Sequence, residues 1–255
     1  MDLELWHFPI SHFNEKVRWA LDWKRLPHRR RALGWDYVPR AWWATGQLSV
    51  PILRIDGRAV HDSTRIIGEL EHRCPEPALY PQDPALRARA LALEEFCDEE
   101  LGHAVRTAVL GPLLYQDPEA ALDVLTTGMA PSARRILGAA VPAFRAFYTQ
   151  RHKIRPEIIE AEQKKVRNGM NRIVSEIGAS GYLVGDSFTV ADLTAAALLG
   201  PIAQPGELEY KPPSPFSPLM EEYRSTVAYH PALRWAVDMY GRHRGASAEA
   251  AASGF

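Results

Sequence analysis

Residues 50–63 read VPILRIDGRAVHDS, and this stretch decides the fold of the first third of the chain. Two short runs of alternating apolar residues flank Asp56 and Gly57, and an Asp-Gly pair in that setting predicts a tight β-hairpin because both residues tolerate positive φ. Pro51 precedes the first of these strands, a position where a residue without an N–H is tolerated. Ser63 precedes a stripe of apolar residues at helical spacing. The stretch therefore predicts strand, hairpin, strand and helix.

The upstream segments extend this pattern. Residues 3–8 alternate in part and predict a strand, and a helical stripe then runs to Leu26-Pro27. Residues 29–37 predict a second strand, and the basic run at its start is expected to be a solvated strand edge. Residues 39–49 predict an irregular connection. The expected order is β-α-β followed by β-β-α.

The character of the sequence changes after a proline-rich stretch at residues 75–81. From Pro84 onward the pattern is helical nearly everywhere. We therefore predict an α/β domain over residues 1–81, an all-helical domain over residues 82–245 and a tail over residues 246–255. The small and polar residues of that tail are typical of a frayed terminus.

Bulk composition narrows the class of protein. The formal net charge is -1, with 46% hydrophobic and 24% charged residues, and these ordinary values do not demand nucleic acid or an anionic membrane as a partner. Cys74 and Cys97 form neither a CxxC pair nor a zinc-type array, so we expect a reducing compartment and no metal site. No apolar run approaches the roughly 18 residues that span a bilayer, and the acidic N-terminus is unlike a signal peptide. We expect a cytoplasmic protein with no membrane or nucleic-acid partner.

Two features of the hairpin region carry binding chemistry. A cis peptide between Val50 and Pro51 would leave the backbone of Val50 free to pair with an extended peptide, although a plain turn is the simpler interpretation of the proline alone. A helix that starts at Asp62-Ser63 offers free N–H groups to a carboxylate, and Asp62 can hold an ammonium group. Simple N-capping by Ser63 is the alternative. Together, the two features are much more specific than either one alone.

The string VPILRIDGRAVHDSTRIIGELEHRCPEPALYP, residues 50–81, resembles the glutathione-binding half of the glutathione transferase superfamily. The resemblance implies a thioredoxin-like α/β domain with a cis proline at Pro51. It also implies that the backbone of Val50 pairs with the cysteinyl part of glutathione and that Asp62 and Ser63 hold the γ-glutamyl part. The family often has Glu or Gln where this chain has Asp62.

The first helix supports the resemblance, because FPISHFNEKVRWALDWKRLP, residues 8–27, is similar to the segment that follows the first strand in this family. Ser11 lies where serine-type members keep their catalytic hydroxyl, and the absence of cysteine at residues 11–14 excludes dithiol redox chemistry there. A hydroxyl at a helix N-terminus would stabilise the thiolate of glutathione, whereas a free thiol has a pKa of about 8.5. The alternative for Ser11 is a helix cap only. His7 is the second candidate, because tyrosine-type members place their hydroxyl at the end of the first strand, although a lone histidine there is more often structural.

The loop before Val50 supplies further candidates. In this family it often contacts the glycyl carboxylate, and the side chains available here are those of Trp42, Trp43, Gln47 and Leu48. Gln47 and a tryptophan indole can donate hydrogen bonds to a carboxylate. Packing of the tryptophans in a lid or a dimer contact is an equal alternative.

The helical domain carries one further motif. GDSFTVAD, residues 185–192, resembles the family's C-terminal capping box, with Thr189 and Asp192 as the partners. This motif extends the resemblance across both domains. Residues 116–156 match nothing in the usual plan and are predicted to be added helices.

The resemblance implies a homodimeric glutathione transferase, with glutathione as co-substrate in a cleft between the domains and a hydrophobic electrophile against the helical domain. Such an enzyme activates the thiol for substitution or addition at an electrophilic carbon, the chemistry of detoxification. One alternative is a non-catalytic glutathione-binding or scaffold protein of the same fold. The other is a glutathione-dependent peroxidase, reductase or isomerase on the same site. The sequence does not indicate the electrophile or the class within the family.

Overall fold

The computed structural model describes residues 1–34, 37–129, 131–151 and 153–250. Within them, a four-stranded sheet with helices on both faces is followed by a helical bundle. The strands are β1 (Leu3–His7), β2 (Arg29–Ala32), β3 (Ile52–Ile55) and β4 (Arg58–His61). The helices are α1 (His12–Trp23), α2 (Tyr37–Thr45), α3 (Ser63–Arg73), α4 (Pro84–Phe96), α5 (His103–Gln116), α6 (Pro118–Leu125), α7 (Pro131–Arg151), α8 (Pro156–Glu176), α9 (Val190–Ala203), α10 (Pro218–Ser225) and α11 (Pro231–His243), with a π-helix, Cys97–Gly102, between α4 and α5.

The strand order is β2-β1-β3-β4, with β1 and β2 parallel and the other two pairs antiparallel. The predicted hairpin is confirmed, because Ile55 pairs with Arg58 and the two residues between them have positive φ, 50° at Asp56 and 86° at Gly57. Since β3 runs against both of its neighbours, its first residue lies beside the last residues of β1 and β4. The loops that follow β1 and β4 and the loop that precedes β3 therefore meet at one end of the sheet.

The two faces of the sheet bury different sets of side chains. On one face, Leu5 and Leu53 pack with Val17 of α1 in the main core, which continues into the helical domain. On the other face, Ile52 packs with Ala41 of α2 in a smaller cluster. Alternation of side chains along each strand produces this division. It places α1 and α2 on opposite sides of the sheet end where the loops meet.

Helix α2 is a departure from the sequence prediction. Residues 39–49 were expected to be an irregular connection, but Tyr37–Thr45 is helical. A proline in the first turn of a helix removes no internal hydrogen bond, which explains why Pro39 is tolerated. Strand β2 ends at Ala32, so it is shorter than predicted, and residues 35 and 36 of that prediction lie outside the described residues.

The prediction of a solvated basic edge at residues 28–31 is correct for Arg29 and Arg31, which are exposed, and wrong for His28 and Arg30, whose side chains are buried. The Arg30 side chain is only 1% exposed, and its guanidinium contacts the Asp22 carboxylate at 2.9 Å. The chain end lies along the same edge: the N–H of His28 donates to the carbonyl of Ala248 (3.4 Å), and the N–H of Ala250 donates to the carbonyl of His28 (2.8 Å). The predicted fraying of the tail is therefore not seen at residues 248–250, and residues 251–255 of that prediction lie outside the described residues.

The helical domain confirms two other predictions. The Asp192 carboxylate accepts a hydrogen bond from the Thr189 N–H (2.9 Å), as the capping motif predicts, and a second from the buried N–H of Leu183 (2.8 Å). The described part of residues 116–156 is mainly helical, as predicted, and contains α6 and α7. Among the described residues, no helix is both long and apolar enough to cross a lipid bilayer.

Candidate functional site

The candidate site is the end of the sheet where three predicted motifs meet. Trp6 of β1 pairs with Ile52 of β3, which in turn pairs with His61 of β4. Neighbouring strands lie about 4.8 Å apart. The turn that leads to Ser11, the Val50-Pro51 peptide and the Asp62-Ser63 pair consequently lie side by side, in that order.

Ser11 begins α1 and leaves its hydroxyl unused by the helix. Its N–H donates to the carbonyl of Phe8 (3.1 Å), and its carbonyl accepts from the N–H of Glu15 (2.9 Å). With φ −76° and ψ 127° Ser11 has N-cap geometry, yet its side chain makes no capping hydrogen bond. The helix N-terminus therefore keeps unsatisfied N–H groups and a free hydroxyl at this point.

Ser11 lines a small cavity between the two domains, with a volume of about 40 Å³. The α/β domain contributes the turn before α1 and the first residues of α1. The helical domain contributes mainly apolar side chains from α5, α6, α9 and the loop after α9, namely Val109, Val124, Ala197, Pro201, Leu208 and Tyr210. Ser11 thus shares this cavity with an apolar wall supplied by the other domain.

His7 lies in the interior behind this cavity. Its side chain is 1% exposed, and its Nδ1 accepts a hydrogen bond from Nη1 of Arg18 (2.9 Å). Burial, reinforced by the charge of Arg18, lowers the pKa of His7 to about 2. The ring is therefore neutral at physiological pH and is held by an internal partner.

Arg18 holds the turn that carries Ser11, a role that the sequence did not predict. Its Nη2 donates to the carbonyl of Pro9 (2.8 Å), and its Nε donates to the carboxylate of Glu15 (2.8 Å). The ring of Tyr210 lies over the guanidinium, 4.8 Å from its carbon to the ring centroid. An arginine on a helix is ordinarily solvated, so no local signal in the sequence indicates this role.

The other two motifs have the predicted placement, with one difference at the helix start. The Val50-Pro51 peptide is cis. Asp62, not Ser63, is the N-cap of α3: its carboxylate accepts from the N–H of Arg65 (3.1 Å), and Ser63 is the first helical residue. Asp62 has φ 75°, an unusual conformation for a residue other than glycine and one that is often found at functional sites.

Comparison with known proteins agrees with this geometry. The family model of the glutathione S-transferase N-terminal domain matches residues 5–78, and that of the C-terminal domain matches residues 136–231. Residues 136–156, predicted to be additions to the usual plan, therefore lie within the family's own C-terminal domain. The chain belongs to the glutathione S-transferase superfamily. Its fold is the thioredoxin-like α/β domain plus all-α domain of that superfamily, as the sequence predicted.

Individual relatives are distant. The chain is 24% identical over 238 residues to FtsZ-localized protein A of Caulobacter vibrioides, covering 91% of each chain. It is 50% identical to probable maleylacetoacetate isomerase 1 of Drosophila melanogaster over only 46 residues, 18% of this chain and 19% of the relative. A glutathione S-transferase structure from Methylobacillus flagellatus with glutathione bound has a TM-score of 0.63 at 19% identity, covering 95% of this chain and 96% of that one. One from Methylobacterium radiotolerans in complex with glutathione sulfonate has a TM-score of 0.62 at 22% identity, covering 100% and 98%.

In this member of the superfamily a buried charge cluster supports the start of α3. The Lys16 ammonium, on α1, lies 2.8 Å from the Glu94 carboxylate and 2.6 Å from that of Asp98 in the π-helix. It also donates to the hydroxyl of Thr64 (3.0 Å), the residue after Ser63. π-Helical turns are often found at functional sites, and this one brings Asp98 against the first turn of α3.

The side chains predicted to contact the glycyl carboxylate of glutathione lie on the surface. The side chains of Trp42 and Trp43, on α2, are 61% and 91% exposed, and Gln47 is also exposed. Neither tryptophan is packed as a lid over the rest of the described chain. Among the described residues, no group of three or more His, Cys, Asp or Glu side chains is placed to hold a metal ion.

Proposed function

We propose that this superfamily member is a glutathione transferase that binds glutathione at the Val50–Ser63 end of the sheet and activates its thiol with Ser11. One observation carries the catalytic part. The Ser11 hydroxyl lies at the N-terminus of a 12-residue helix, makes no capping hydrogen bond and lines the cavity between the domains. A hydroxyl donor and the positive end of a helix dipole both stabilise a thiolate.

Binding is assigned to the neighbouring motifs. The backbone of Val50 would pair with the cysteinyl unit, as an added strand pairs with a sheet. Asp62 would hold the γ-glutamyl ammonium group, and the N-terminus of α3 at Ser63 would receive its carboxylate. Gln47 and the indole N–H of Trp43 are the proposed donors to the glycyl carboxylate. The solved relatives with bound glutathione or glutathione sulfonate support this choice of ligand.

The reaction follows from these assignments. The thiol releases its proton to solvent, and the thiolate accepts the Ser11 O–H hydrogen bond. The sulfur then forms a bond to an electrophilic carbon. Because the cavity is too small, at about 40 Å³, to enclose such a molecule, the apolar wall from α5, α6 and α9 has to move outward to admit it. In a substitution the leaving group departs with its electron pair, and in an addition the second carbon takes a proton from solvent. The electrophile is therefore expected to be a hydrophobic small molecule.

A non-catalytic role is the second candidate, and one observation favours it. The relative matched over 91% of both chains is named FtsZ-localized protein A, a name that describes a location and no reaction. A glutathione-dependent isomerase is a third possibility, supported only by the short match to the maleylacetoacetate isomerase. Retention on glutathione resin without turnover of any electrophile would favour the scaffold role, whereas product analysis separates transfer from isomerisation.

The decisive measurement is the pKa of the thiol of bound glutathione, followed by thiolate absorbance against pH. We expect a thiol pKa well below about 8.5 in the wild type and a return towards that value in Ser11→Ala. Turnover in Ser11→Ala should fall by about 10²-fold or more, as on removal of one preorganised donor. The matched control, Ser225→Ala, changes an exposed serine on α10 and should leave both quantities unchanged. His7→Phe tests the other candidate. If neither Ser11→Ala nor His7→Phe raises the thiol pKa, the activation scheme is wrong.

The cytoplasmic location and the homodimer remain predictions. Sedimentation equilibrium of the purified chain tests the oligomeric state directly, and a dimer is the expected species.

A further inference from the structure

A second cavity, which we call the β4 cavity, lies between the end of α2 and the edge strand β4. Its volume is about 330 Å³, and its lining includes Trp43, Gly46, Arg58, His61 and Arg65. Pockets that hold small molecules begin at about this size, roughly 300 Å³. None of the assignments above uses Arg58, His61 or Arg65.

The lining of the β4 cavity is basic. Arg58, His61 and Arg65 are contributed by β4 and the first turn of α3. Within the described part of the chain, neither guanidinium lies within ion-pair distance of a carboxylate. Glu69, the acid whose pKa is influenced by Arg58, is paired with Arg73 at 2.6 Å. Two guanidinium groups without a protein partner around one concave surface suit an oxyanion, which can accept paired hydrogen bonds from each of them.

The rim of the β4 cavity is aromatic. Trp43 lines it and is 91% exposed, although large aromatic side chains are usually more buried than this. An exposed indole beside a cavity offers a face on which a planar ligand can stack. The ligand that fits combines an aromatic ring with an oxyanion.

The β4 cavity and the Ser11 cavity are lined by different residues. Ala59, which lines the β4 cavity, packs with Ile52 and Ala41 on the α2 face. Ser11 begins α1, whose Val17 packs on the opposite face. No residue lines both cavities, and Trp43 is the one residue that the proposed glutathione site and the β4 cavity share.

We propose that the β4 cavity is a second ligand site, which binds a small aromatic phosphate or sulfate. Arg58 and Arg65 contact the oxyanion, His61 adds a third polar group and Trp43 stacks on the ring. The site does not depend on glutathione turnover.

Isothermal titration calorimetry with phenyl phosphate tests the proposal on the full chain. We expect saturable binding to the wild type, and at least a tenfold weaker Kd for the double variant Arg58→Gln/Arg65→Gln. Arg234→Gln is the matched control, because Arg234 is an exposed arginine on α11, far along the chain and outside the cavity lining. Its Kd should equal that of the wild type. Raising the salt concentration should weaken wild-type binding, because exposed charges are screened.

Glutathione affinity provides the second measurement. The Arg58→Gln/Arg65→Gln variant should keep wild-type glutathione affinity, whereas Ser63→Ala should lower glutathione affinity and leave phenyl phosphate binding unchanged. Three results would overturn the proposal. These are no phenyl phosphate binding to the wild type, equal binding to the double variant, or a double variant that loses both ligands, which would make the β4 cavity part of the glutathione site. A dimer that buries the cavity would prevent phenyl phosphate from binding to the wild type.

Discussion

Asp192 is a carboxylate whose burial makes folding depend on pH. Its side chain is fully buried, and its oxygens accept from the N–H groups of Leu183 and Thr189 and from the Thr189 hydroxyl. Burial outweighs these hydrogen bonds and raises the pKa of Asp192 from 3.8 to about 6. The folded state therefore binds a proton more tightly than the unfolded state does.

For a raised pKa the stability contribution is complete below pH 3.8 and is lost as the pH rises towards 6, because the unfolded chain has already released its proton there. We expect the free energy of unfolding of the wild type, relative to Asp192→Asn, to fall by about 2 kcal/mol between pH 4 and pH 7. Urea unfolding at a series of pH values measures this difference. Asp186→Asn, at an exposed neighbouring position, is the control and should show no such trend. A difference that does not change with pH would mean that Asp192 is charged at pH 4 in the folded state.

Lys16 offers a test of the buried cluster at the start of α3. The substitution Lys16→Met leaves the carboxylates of Glu94 and Asp98 buried without their cation. We expect the free energy of unfolding to decrease by about 3–5 kcal/mol, the usual effect of breaking a buried ion pair from one side. Adding Glu94→Gln and Asp98→Asn to Lys16→Met should recover part of that loss, because the uncompensated charges disappear. If the triple variant is as unstable as the sum of its parts, the three residues do not interact.

The residues of the site differ in how far the sequence could predict them. Val50, Asp62 and Ser11 follow from local motifs, and the sheet order then brings those motifs together. Arg18 and Lys16 could not be predicted, because a charged helix residue is buried only when distant segments supply its partners. The alternative interpretation, a cap at Ser63, is wrong in its residue because Asp62 is the cap. Both residue types cap helices well, and only the backbone angles distinguish them.

At the scale of the element, substitutions of Asp62 at the start of α3 can separate its role in helix capping from its proposed role in ligand binding. Asp62 caps the helix with its carboxylate and also adopts φ 75°. Asparagine can keep the cap and tolerates positive φ better than most residues, glycine keeps only the backbone freedom, and alanine keeps neither. We expect Asp62→Asn and Asp62→Gly each to lose less than about 0.5 kcal/mol of stability, and Asp62→Ala about 2 kcal/mol.

Glutathione affinity should follow a different order. Asp62→Asn removes the negative charge proposed to hold the γ-glutamyl ammonium group, so it should weaken glutathione binding about tenfold or more while the helix cap survives. Thermal unfolding of the three variants measures the order of their stabilities, and calorimetric titration measures the order of their glutathione affinities. Unchanged glutathione affinity in Asp62→Asn would remove Asp62 from the proposed binding site and leave it a cap only.

The elements themselves were largely predictable, with two instructive exceptions. The hairpin at Asp56-Gly57 and the helices of the second domain follow from turn chemistry and from apolar spacing. Helix α2 was missed because its segment is short and has few apolar positions that are buried, so its helical period is weak. The π-helix could not be predicted, since no local pattern marks the register change that places Asp98 against Thr64.

At the scale of the whole molecule, Arg244 ties the end of the last helix to the first domain. It is 3% exposed and contacts Glu15 and Asp22 of α1, at 2.7 and 2.8 Å. The partners are more than 220 residues apart in the sequence. Each carboxylate also pairs with an arginine of its own domain, Arg18 or Arg30. Arg244 thus joins two ion pairs of the α/β domain to the C-terminal end of the helical domain.

Arg244→Met should therefore destabilise both domains together. Removing the cation leaves Glu15 and Asp22 with one partner each in a buried setting, and we expect the free energy of unfolding to fall by about 3 kcal/mol or more. Arg234→Met, at an exposed position on α11, should change the free energy of unfolding by less than about 0.5 kcal/mol. Unfolding followed by tryptophan fluorescence and by far-ultraviolet circular dichroism should stay coincident in both variants, because the main core runs through both domains. Two separated unfolding steps in Arg244→Met would mean that the ion pairs couple the two domains. The shared apolar core would then be insufficient to couple them.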